Sequence, residues 1–261
     1  MNRFDAVLFD MDGVIVDSEP IHQMAFLETW QEMGYGKSHG IDFAEFYGRS
    51  DRAVWEAFIK KHQPEQSIKE LTKLKEDRVI RLLRDKQPIF DAVPSLVQQL
   101  ANHFPLAVAS GSVHRIIDEV LAMRDLHRYF TCTASVEDVK HSKPAPDVYL
   151  LAAERLDVSP TNCCVIEDTV SGVQAGKTAG MTALAITNTF NSEALSQAGA
   201  DQVFLTYDDI GSFFEIKQVN FRHLKNLVLI RDIPLETCPI RNKPGGRFAF
   251  RHASTFCIAP S

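Results

Sequence analysis

The stretch that decides the fold is Val7-Leu8-Phe9-Asp10-Met11-Asp12-Gly13-Val14-Ile15-Val16-Asp17, close to the start of the sequence. It begins as an apolar, β-prone run that ends in Asp10, and a second acid, Asp12, follows two residues later. Because side chains i and i+2 of a strand share one face, Asp10 and Asp12 can project together from the end of a buried strand. Gly13 then allows the backbone to turn sharply.

Two carboxylates held this close repel each other, which raises one pKa unless a cation neutralises them. Mg²⁺ suits such a pair because it takes hard oxygen ligands and often bridges carboxylates to a substrate phosphate. A simpler interpretation is that the two acids end a strand and begin a turn. An EF-hand loop fits poorly, since its glycine belongs at the sixth position and no apolar strand should precede it. The metal interpretation therefore depends on matching groups elsewhere in the chain.

Composition limits the classes of protein that the chain can represent. It has 261 residues, 45% of them hydrophobic, which is enough for a sizeable core in one or two domains. No apolar run reaches the length of a membrane span, and the first residues lead into the predicted strand without a secretory signal. The five cysteines are odd in number and show no CxxC spacing, so we expect a reducing, cytoplasmic compartment.

Charge is distributed unevenly along the chain. The net charge of -6 argues weakly against general nucleic-acid binding. The segment from Lys217 onward carries eight Lys and Arg but only two Asp and Glu, so it is basic while the rest is strongly acidic. This basic segment could contact the acidic body or an acidic partner, or it could be a loosely ordered terminal extension.

The periodicity of apolar residues divides the chain into three parts. Residues 18–84 are typical of helices with no strand between them. Further along, short apolar strands at 106–110, 130–135, 163–166, 182–186 and 202–205 alternate with helices, which predicts an α/β fold with a doubly wound parallel sheet. We therefore predict an α/β core at 1–17 and 85–215, an inserted helical subdomain at 18–84 and an extension at 216–261. Within the extension, 226–230 could add an edge strand.

Polar side chains follow three of the predicted strands, and ligands of open α/β sheets lie beyond the carboxyl ends of strands. Asp10 and Asp12 follow the first strand, Ser110 another, and Glu167 with Asp168 a third. Each has a simpler interpretation, since Ser110 could cap a helix and the Glu167-Asp168 pair could begin one.

Lys143 adds a cation in a Lys-Pro-Ala-Pro segment just before a predicted helix. Taken alone it could be a solvated surface lysine. The conjunction of all these groups is more specific than any one of them.

Together these residues resemble the haloacid dehalogenase superfamily of phosphohydrolases, in the branch containing β-phosphoglucomutase and small sugar-phosphate phosphatases. The resemblance covers residue 1 to about residue 215 and includes all four motifs of that family. The motifs are Phe9-Asp10-Met11-Asp12-Gly13-Val14-Ile15-Val16-Asp17-Ser18-Glu19, Ala109-Ser110-Gly111-Ser112, Lys143-Pro144-Ala145-Pro146-Asp147 and Ile166-Glu167-Asp168-Thr169.

The resemblance implies a role for each group in phosphoryl transfer. Asp10 would attack phosphorus and form an aspartyl phosphate. Asp12 would protonate the leaving oxygen and then take a proton from the hydrolytic water. Ser110 and the N–H of Gly111 would bind the transferring phosphoryl oxygens, while Lys143 would offset their charge and orient Asp10.

The resemblance also implies Mg²⁺ as the cofactor. The ion would be held by Asp10, the backbone carbonyl of Asp12 and Asp168, with Glu167 bound to it or next to it. It would allow an anionic nucleophile to approach an anionic phosphate.

The helical insertion would be a mobile cap whose closure excludes water and selects the substrate. Mutases of the family have Lys before a cap glycine and Arg three residues after it, which retain a bisphosphate intermediate. Here Gly48 matches that substrate-contacting glycine, but Tyr47 precedes it and Asp51 stands at the Arg position. Arg49 and Arg52 could substitute, or they could lie on a helix surface.

His22 matches a histidine of the mutases, or it could be a hinge or packing residue. On balance we predict a Mg²⁺-dependent phosphatase that hydrolyses a small phosphate monoester, a sugar phosphate or similar. The alternatives are a phosphosugar mutase of the β-phosphoglucomutase type and a non-catalytic binding module. We expect a phosphorylated small molecule as partner, neither nucleic acid nor membrane, and a monomer or weak dimer.

Overall fold

The computed structural model describes residues 4–46 and 51–214. Its strands are β1 (Ala6–Phe9), β2 (Leu106–Ala109), β3 (Cys132–Ala134), β4 (Cys163–Glu167), β5 (Thr182–Ile186) and β6 (Gln202–Phe204). Within this part of the chain they form one parallel sheet in the order β3-β2-β1-β4-β5-β6. The predicted α/β fold with a parallel sheet is confirmed.

Helices connect these strands on both faces of the sheet. The α-helices are α1 (Glu19–Glu32), α2 (Asp51–His62), α3 (Ile68–Lys86), α4 (Val93–Ala101), α5 (His114–Ala122), α6 (Asp147–Arg155), α7 (Val170–Thr178), α8 (Ser192–Gln197) and α9 (Tyr207–Phe213). Shorter 3-10 helices are Gly36–Ser38, Phe43–Phe46, Met123–Tyr129, Val136–Asp138 and Pro160–Asn162.

The central strand β1 is fully buried, and its side chains alternate between two apolar clusters. Val7 and Phe9 pack into a cluster that includes residues of α4, α5 and α9. Ala6 and Leu8 pack into a second cluster with residues of α6, α7 and α8. A strand covered on both faces needs apolar residues at every position, which explains the uninterrupted apolar run before Asp10.

The described part of residues 18–84 contains helices and no strand, as its periodicity predicts. Its interior is an aromatic cluster in which Phe26, Trp30, Trp55 and Phe58 are buried. The ring centroids of Phe26 and Trp30 lie 5.4 Å apart and those of Trp30 and Phe58 lie 5.3 Å apart. Burying each such ring stabilises the fold by about 1.5–3 kcal/mol. The helical block thus has a core of its own, while its status as a separate domain remains a prediction.

The segments that enter and leave the helical block, at residues 15–17 and 88–90, lie next to each other. The backbone N–H of Asp17 donates to the carbonyl of Pro88 over 2.9 Å, and that of Phe90 donates to Ile15 over 3.2 Å. These two hydrogen bonds hold the outgoing and returning segments side by side at the carboxyl end of β1.

Some predictions concern residues outside the described ranges. These are Gly48 with its neighbours Tyr47 and Arg49, the extension at 216–261 and the strand predicted at 226–230. Among the described residues, Cys132 and Cys163 are free thiols. None of the helices in the described ranges combines the length and apolar character needed to cross a membrane.

Candidate active site

The register of the sheet brings the predicted polar residues to one edge. Phe9 of β1 lies opposite Val108 of β2 on one side and Ile166 of β4 on the other, so the three strands end at the same level. Asp10 and Ser110 follow the ends of β1 and β2 directly, while Glu167 is the last residue of β4 and Asp168 comes next. The backbone N–H of Asp10 donates to Ile166, which ties the first acid to β4.

Lys143 reaches this edge from the loop that precedes α6. Its Nζ donates to Asp10 Oδ1 over 2.6 Å and to Glu167 Oε1 over 2.7 Å. It also donates to the hydroxyl of Tyr149 over 3.0 Å and to the carbonyl of Ala109 over 3.2 Å. The alternative of a solvated surface lysine does not hold, because the ammonium is enclosed by four oxygen acceptors.

Glu167 is fully buried, and both of its carboxylate oxygens are engaged. Oε1 accepts hydrogen bonds from Lys143 and from the hydroxyl of Tyr149, the latter over 2.6 Å. Oε2 accepts from the backbone N–H groups of Asp168 and Thr169 and from the Thr169 hydroxyl. Burial alone would raise the pKa of Glu167, but Lys143 and these hydrogen bonds hold it below its usual value. In this arrangement Glu167 is ionised and fixes Lys143.

Asp168 is the residue whose environment most clearly calls for a cation. Its side chain is fully buried, and Oδ1 has no hydrogen-bond partner among the described residues. Burial, and then the charges of Glu167 and Asp10, raise the pKa of Asp168 well above its usual range. Buried polar atoms are normally paired, so an orphaned carboxylate oxygen indicates a missing ligand.

Asp10, Glu167 and Asp168 together fit a divalent cation. Each offers a carboxylate oxygen, and these atoms all lie within 4.8 Å of one another. Burial also raises the pKa of Asp10 to about 8, against the opposing effect of Lys143 and with the help of Glu167 and Asp12. Three buried carboxylates face a single ammonium, and a hard divalent cation such as Mg²⁺ would balance the remaining charge. Whether the backbone carbonyl of Asp12 joins them remains a prediction.

The side chain of Asp12 has a separate set of partners. Its carboxylate accepts hydrogen bonds from Ser18 over 2.6 Å, from Ser112 over 2.8 Å and from Ser110 over 3.3 Å. His22 Nε2 lies 3.6 Å from Asp12 Oδ1. Burial alone would raise the pKa of Asp12, but His22 and the serine hydroxyls hold it well below its usual value. Asp12 is therefore a carboxylate in this state of the site.

Ser110 does not cap α5. The residue before that helix is Val113, which has no side-chain capping bond, whereas Ser110 Oγ accepts from the N–H of Ser112 over 2.9 Å. Gly111 borders the cavity, and a Cβ added to it would meet nothing within 4 Å. The turn after β2 is therefore open at Gly111, with room for a ligand beside its backbone.

A cavity of about 410 Å³ opens in front of these groups, between the edge of the sheet and the helical block. The core contributes Asp10, Asp12, Gly111, Ser112, Lys143 and Thr169 to its wall, among others. The helical block contributes both apolar rings and polar groups: Glu19, His22, Phe26, Phe43, Phe46, Asp51, Arg52 and Glu76. The volume suits a small molecule held between the two parts.

Lys75 supports the wall of the cavity from within the helical block. It is fully buried in α3, and its Nζ donates to Asp51 Oδ2 over 2.5 Å and hydrogen-bonds to His22 Nδ1. Sequence reasoning missed Lys75, although a signal exists: it lies four residues from both Leu71 and Val79, on the apolar stripe of α3. A lysine on a buried stripe needs a partner, and Asp51 supplies one.

Arg52 borders the cavity but does not fill the place of the mutase arginine. Its side chain is 75% exposed and forms an ion pair with Glu56 over 2.7 Å on the surface of α2. This matches the alternative of a helix-surface residue.

Several other side chains of the site escaped sequence reasoning. Tyr149 lies close to predicted residues along the chain, but no spacing rule marks it; Ser112 stands in one of the four motifs, without an assigned role. Thr189 donates to Asp168 Oδ2, while Asn188 and Tyr207 bind the backbone after Asp12. These last three are far from the four motifs in sequence, so only the fold brings them to the site.

The fold and the site together define a hydrolase of the haloacid dehalogenase type. The model of the haloacid dehalogenase-like hydrolase family matches residues 7–186. The chain belongs to this family, which confirms the resemblance found in its motifs.

Relatives of known activity lie within this family. The fructose-1-phosphate phosphatase YqaB of Escherichia coli is 36% identical over 186 residues, which covers 70% of this chain and 96% of the relative. Hexitol phosphatase B of the same organism is 32% identical over 183 residues, covering 69% and 82% of the two chains. The crystal structure of a putative β-phosphoglucomutase from Thermotoga maritima superposes with a TM-score of 0.65 at 28% identity, covering 81% and 98%. The prediction of a phosphoric monoester hydrolase of this family is confirmed, and the alternative of a non-catalytic binding module is set aside.

Proposed function

We propose that the protein is a Mg²⁺-dependent phosphatase that hydrolyses the phosphate monoester of a sugar or sugar alcohol through an aspartyl phosphate on Asp10. The observation that carries this proposal is the contact of Lys143 with both Asp10 and Glu167, beside the unpartnered oxygen of Asp168. In this proposal Asp10 is a carboxylate nucleophile at the cavity wall beside a fixed ammonium, and Asp168 offers an oxygen to a divalent cation. The relatives that act on fructose 1-phosphate and hexitol phosphates support the class of substrate.

Asp10 is the nucleophile in this proposal. Lys143 holds Asp10 Oδ1 by a 2.6 Å hydrogen bond, which keeps the carboxylate oriented at the cavity floor. Attack of the Asp10 carboxylate on phosphorus would break the bond to the leaving oxygen and form the aspartyl phosphate. One difficult displacement would thereby become two easier ones. When bound by Asp10 and Asp168, Mg²⁺ would neutralise charge on the phosphoryl oxygens.

Asp12 would act as general acid and then as general base. The doubly charged phosphate of the substrate, placed beside Asp12, would raise the pKa of this carboxyl from its low value in the free site. The protonated form could then deliver the proton to the leaving oxygen. Hydrogen bonds from Ser18 and Ser112 hold the Asp12 carboxylate at the wall of the cavity.

The charges in the helical block favour hydrolysis over the mutase reaction. A mutase must retain a bisphosphate, which requires cations for the second phosphate. Among the described residues of the block that line the cavity, Glu19 and Glu76 are acidic, Asp51 is paired with Lys75, and Arg52 is largely exposed and paired with Glu56. Carboxylates of this kind suit the hydroxyl groups of a sugar or polyol, and they repel a second phosphate.

The first test is release of phosphate from p-nitrophenyl phosphate with Mg²⁺ present. Asp10→Asn should lower kcat by roughly 10³-fold or more, because the amide is no nucleophile. Asp91→Asn, which removes an exposed carboxylate outside the cavity, is the matched control and should leave kcat unchanged. Turnover by Asp10→Asn at a rate near that of the wild type would refute the assigned nucleophile.

A second assay separates phosphatase from mutase. Sugar and hexitol phosphates are supplied singly, and both free phosphate and isomerised product are measured. We expect free phosphate as the product. Isomerisation of a sugar 1-phosphate that depends on a catalytic amount of sugar bisphosphate would instead establish the mutase alternative.

A further inference from the structure

The segment that follows β5, residues 187–189, contributes two side chains to the site. The hydroxyl of Thr189 donates to Asp168 Oδ2. The neighbouring Asn188 Nδ2 donates to the carbonyl of Gly13 over 2.7 Å. Two consecutive side chains thus bind two separate segments of the site, one directly after β4 and one after β1.

The hydrogen bond from Thr189 gives the two carboxylate oxygens of Asp168 different surroundings. Oδ2 accepts the hydroxyl of Thr189, whereas Oδ1 is buried and unpartnered among the described residues. A carboxylate bound through one oxygen no longer rotates freely, so the other oxygen keeps a fixed direction. Charge-neutral donors that hold a metal-ligating carboxylate in this way orient the ligand without competing for the ion.

Gly13 closes the other side of Asp168. A Cβ at Gly13 would lie 1.9 Å from Asp168 Oδ2, so the backbone of the turn rests directly against this carboxylate. Gly13 also has a φ of +79°, a conformation that other residues adopt only with strain. The carboxylate is therefore confined between the Gly13 backbone and Thr189.

Asn188 and Tyr207 hold the turn in that position. Asn188 Nδ2 also donates to the hydroxyl of Tyr207 over 2.8 Å, and this hydroxyl donates to the carbonyl of Val14 over 2.7 Å. The carbonyls of Gly13 and Val14 are thus bound by side chains from the segment after β5 and from α9. The turn that carries Asp10 and Asp12 is kept against Asp168 by these contacts.

We infer that Thr189 is a positioning residue for the divalent-cation site: its hydroxyl fixes Asp168 so that Oδ1 is presented to the ion. Asn188 and Tyr207 complete the clamp by fixing the turn after β1. This inference rests on the proposed function, because it assumes that Asp10 and Asp168 bind Mg²⁺. It adds a contact from a part of the chain that carries none of the four motifs.

Thr189 is an exposed residue, so its hydroxyl can be removed without opening the core. Thr189→Val keeps the shape and removes the donor, while Thr189→Ser keeps the donor and removes the methyl group. The pair separates the hydrogen bond from packing. Circular dichroism of both variants establishes that they are folded before any affinity is compared.

The experiment is a calorimetric titration of the metal-free full-length protein with Mg²⁺ alone, without a phosphorylated substrate. We expect Thr189→Val to weaken Mg²⁺ binding by roughly 10-fold and Thr189→Ser to bind within about twofold of the wild type. In the phosphatase assay, the Mg²⁺ concentration for half-maximal activity should rise by the same factor, with kcat at saturating Mg²⁺ largely kept. A merely structural role would not produce this split.

The two possible failures are distinguishable. If the wild type binds Mg²⁺ and hydrolyses phosphate monoesters but Thr189→Val binds the ion equally well, the inference about Thr189 is overturned and the proposed function stands. If the valine and serine variants lose affinity equally, packing and not the hydroxyl is responsible, which also overturns it. If the wild type binds no Mg²⁺, both the inference and the metal dependence of the proposed function are wrong.

Discussion

At Gly172, on the first turn of α7, a single added methyl group would collide with the carboxylate of Glu167. A Cβ there would lie 1.7 Å from Glu167 Oε1, and Glu167 is fully buried with both oxygens bound. The carboxylate has no free direction in which to move. Glycine at this position is therefore required by the approach of α7 to the end of β4.

We expect Gly172→Ala to lose most of its phosphatase activity and to be destabilised by about 1–3 kcal/mol, since an overpacked site forces side chains from their rotamers. The matched control is Gly211→Ala in α9, where a Cβ would meet only Leu96 Cδ1 at 3.8 Å. That variant should gain about 0.5–1 kcal/mol from helix propensity and keep full activity. Urea unfolding and kcat measured on both variants check the prediction, and equal behaviour of the two would contradict it.

At the scale of single residues, the motifs predicted which side chains meet but not how they share their contacts. Asp10, Lys143, Glu167 and Asp168 were singled out from strand ends and from the resemblance, and the structure brings them together. The sequence does not show that both carboxylate oxygens of Glu167 accept hydrogen bonds, whereas Oδ1 of Asp168 has no partner among the described residues. That difference depends on Tyr149 and on other side chains from separate elements. No local sequence pattern predicts that these side chains contact Glu167 or Asp168. The roles of all these residues remain proposals.

At the scale of elements, the ion pair between Lys75 and Asp51 joins α3 to α2. The hydrogen bond between Lys75 and His22 joins α3 to α1 as well. Lys75 is fully buried, whereas the side chain of Asp51 is 37% exposed. Burial alone would raise the pKa of Asp51, but Lys75 and His22 lower it. The contribution of the pair to stability is therefore complete above the usual pKa of an aspartate and is lost as the pH falls through the lowered value.

We expect the two partners to differ when each is removed. Asp51→Ala leaves a buried ammonium without its counter-charge and should cost about 3 kcal/mol, the lower end for a buried pair because solvent partly screens Asp51. Lys75→Met should cost less, since the remaining carboxylate can be hydrated. Urea denaturation at neutral pH measures both, and the double variant should recover part of the loss. A larger cost for Lys75→Met than for Asp51→Ala would contradict this account, in which the unpaired buried ammonium is the main penalty.

The elements themselves follow from the sequence more readily than their partners do. The strands between 106 and 205 were predicted from short apolar runs, and β4 and β5 begin and end within a residue or two of those runs. The strand predicted at 130–135 is shorter in the structure, where β3 spans Cys132–Ala134 at the edge of the sheet. Edge strands receive hydrogen bonds from one side only, so the apolar run alone does not fix their length.

At the scale of the whole molecule, stability should depend on the divalent cation and on pH together. The pKa of Asp10 is raised to about 8, mainly by burial, and that of Asp168 is raised well above its usual range by burial and by Glu167. A carboxyl with a raised pKa binds its proton more tightly in the folded state. The metal-free protein should therefore lose stability as the pH rises from about 4 toward 8.

Mg²⁺ should reverse this loss, by about 2.7 kcal/mol at a concentration 100 times its dissociation constant. Asp168→Asn should abolish the gain from Mg²⁺, yet make the metal-free protein more stable than metal-free wild type at neutral pH, by about 1–3 kcal/mol. The reason is that the amide neither carries a buried charge nor has to take up a proton when the metal-free protein folds. Thermal unfolding with EDTA and with Mg²⁺ at several pH values checks both parts. A metal-free Asp168→Asn protein that is less stable than the wild type would contradict the proposed charge imbalance.

The two hydrogen bonds between the segments flanking the helical block have a consequence for how such proteins diversify. Backbone hydrogen bonds join Asp17 to Pro88 and Phe90 to Ile15. The helical block is therefore connected to the rest of the chain through two neighbouring backbone segments. A transplanted block of different size needs only termini that lie equally close together, because no strand order or register depends on what lies between them. Grafting another block at this junction would replace the cavity wall that the helical block contributes. The side chains at the edge of the sheet would stay unchanged.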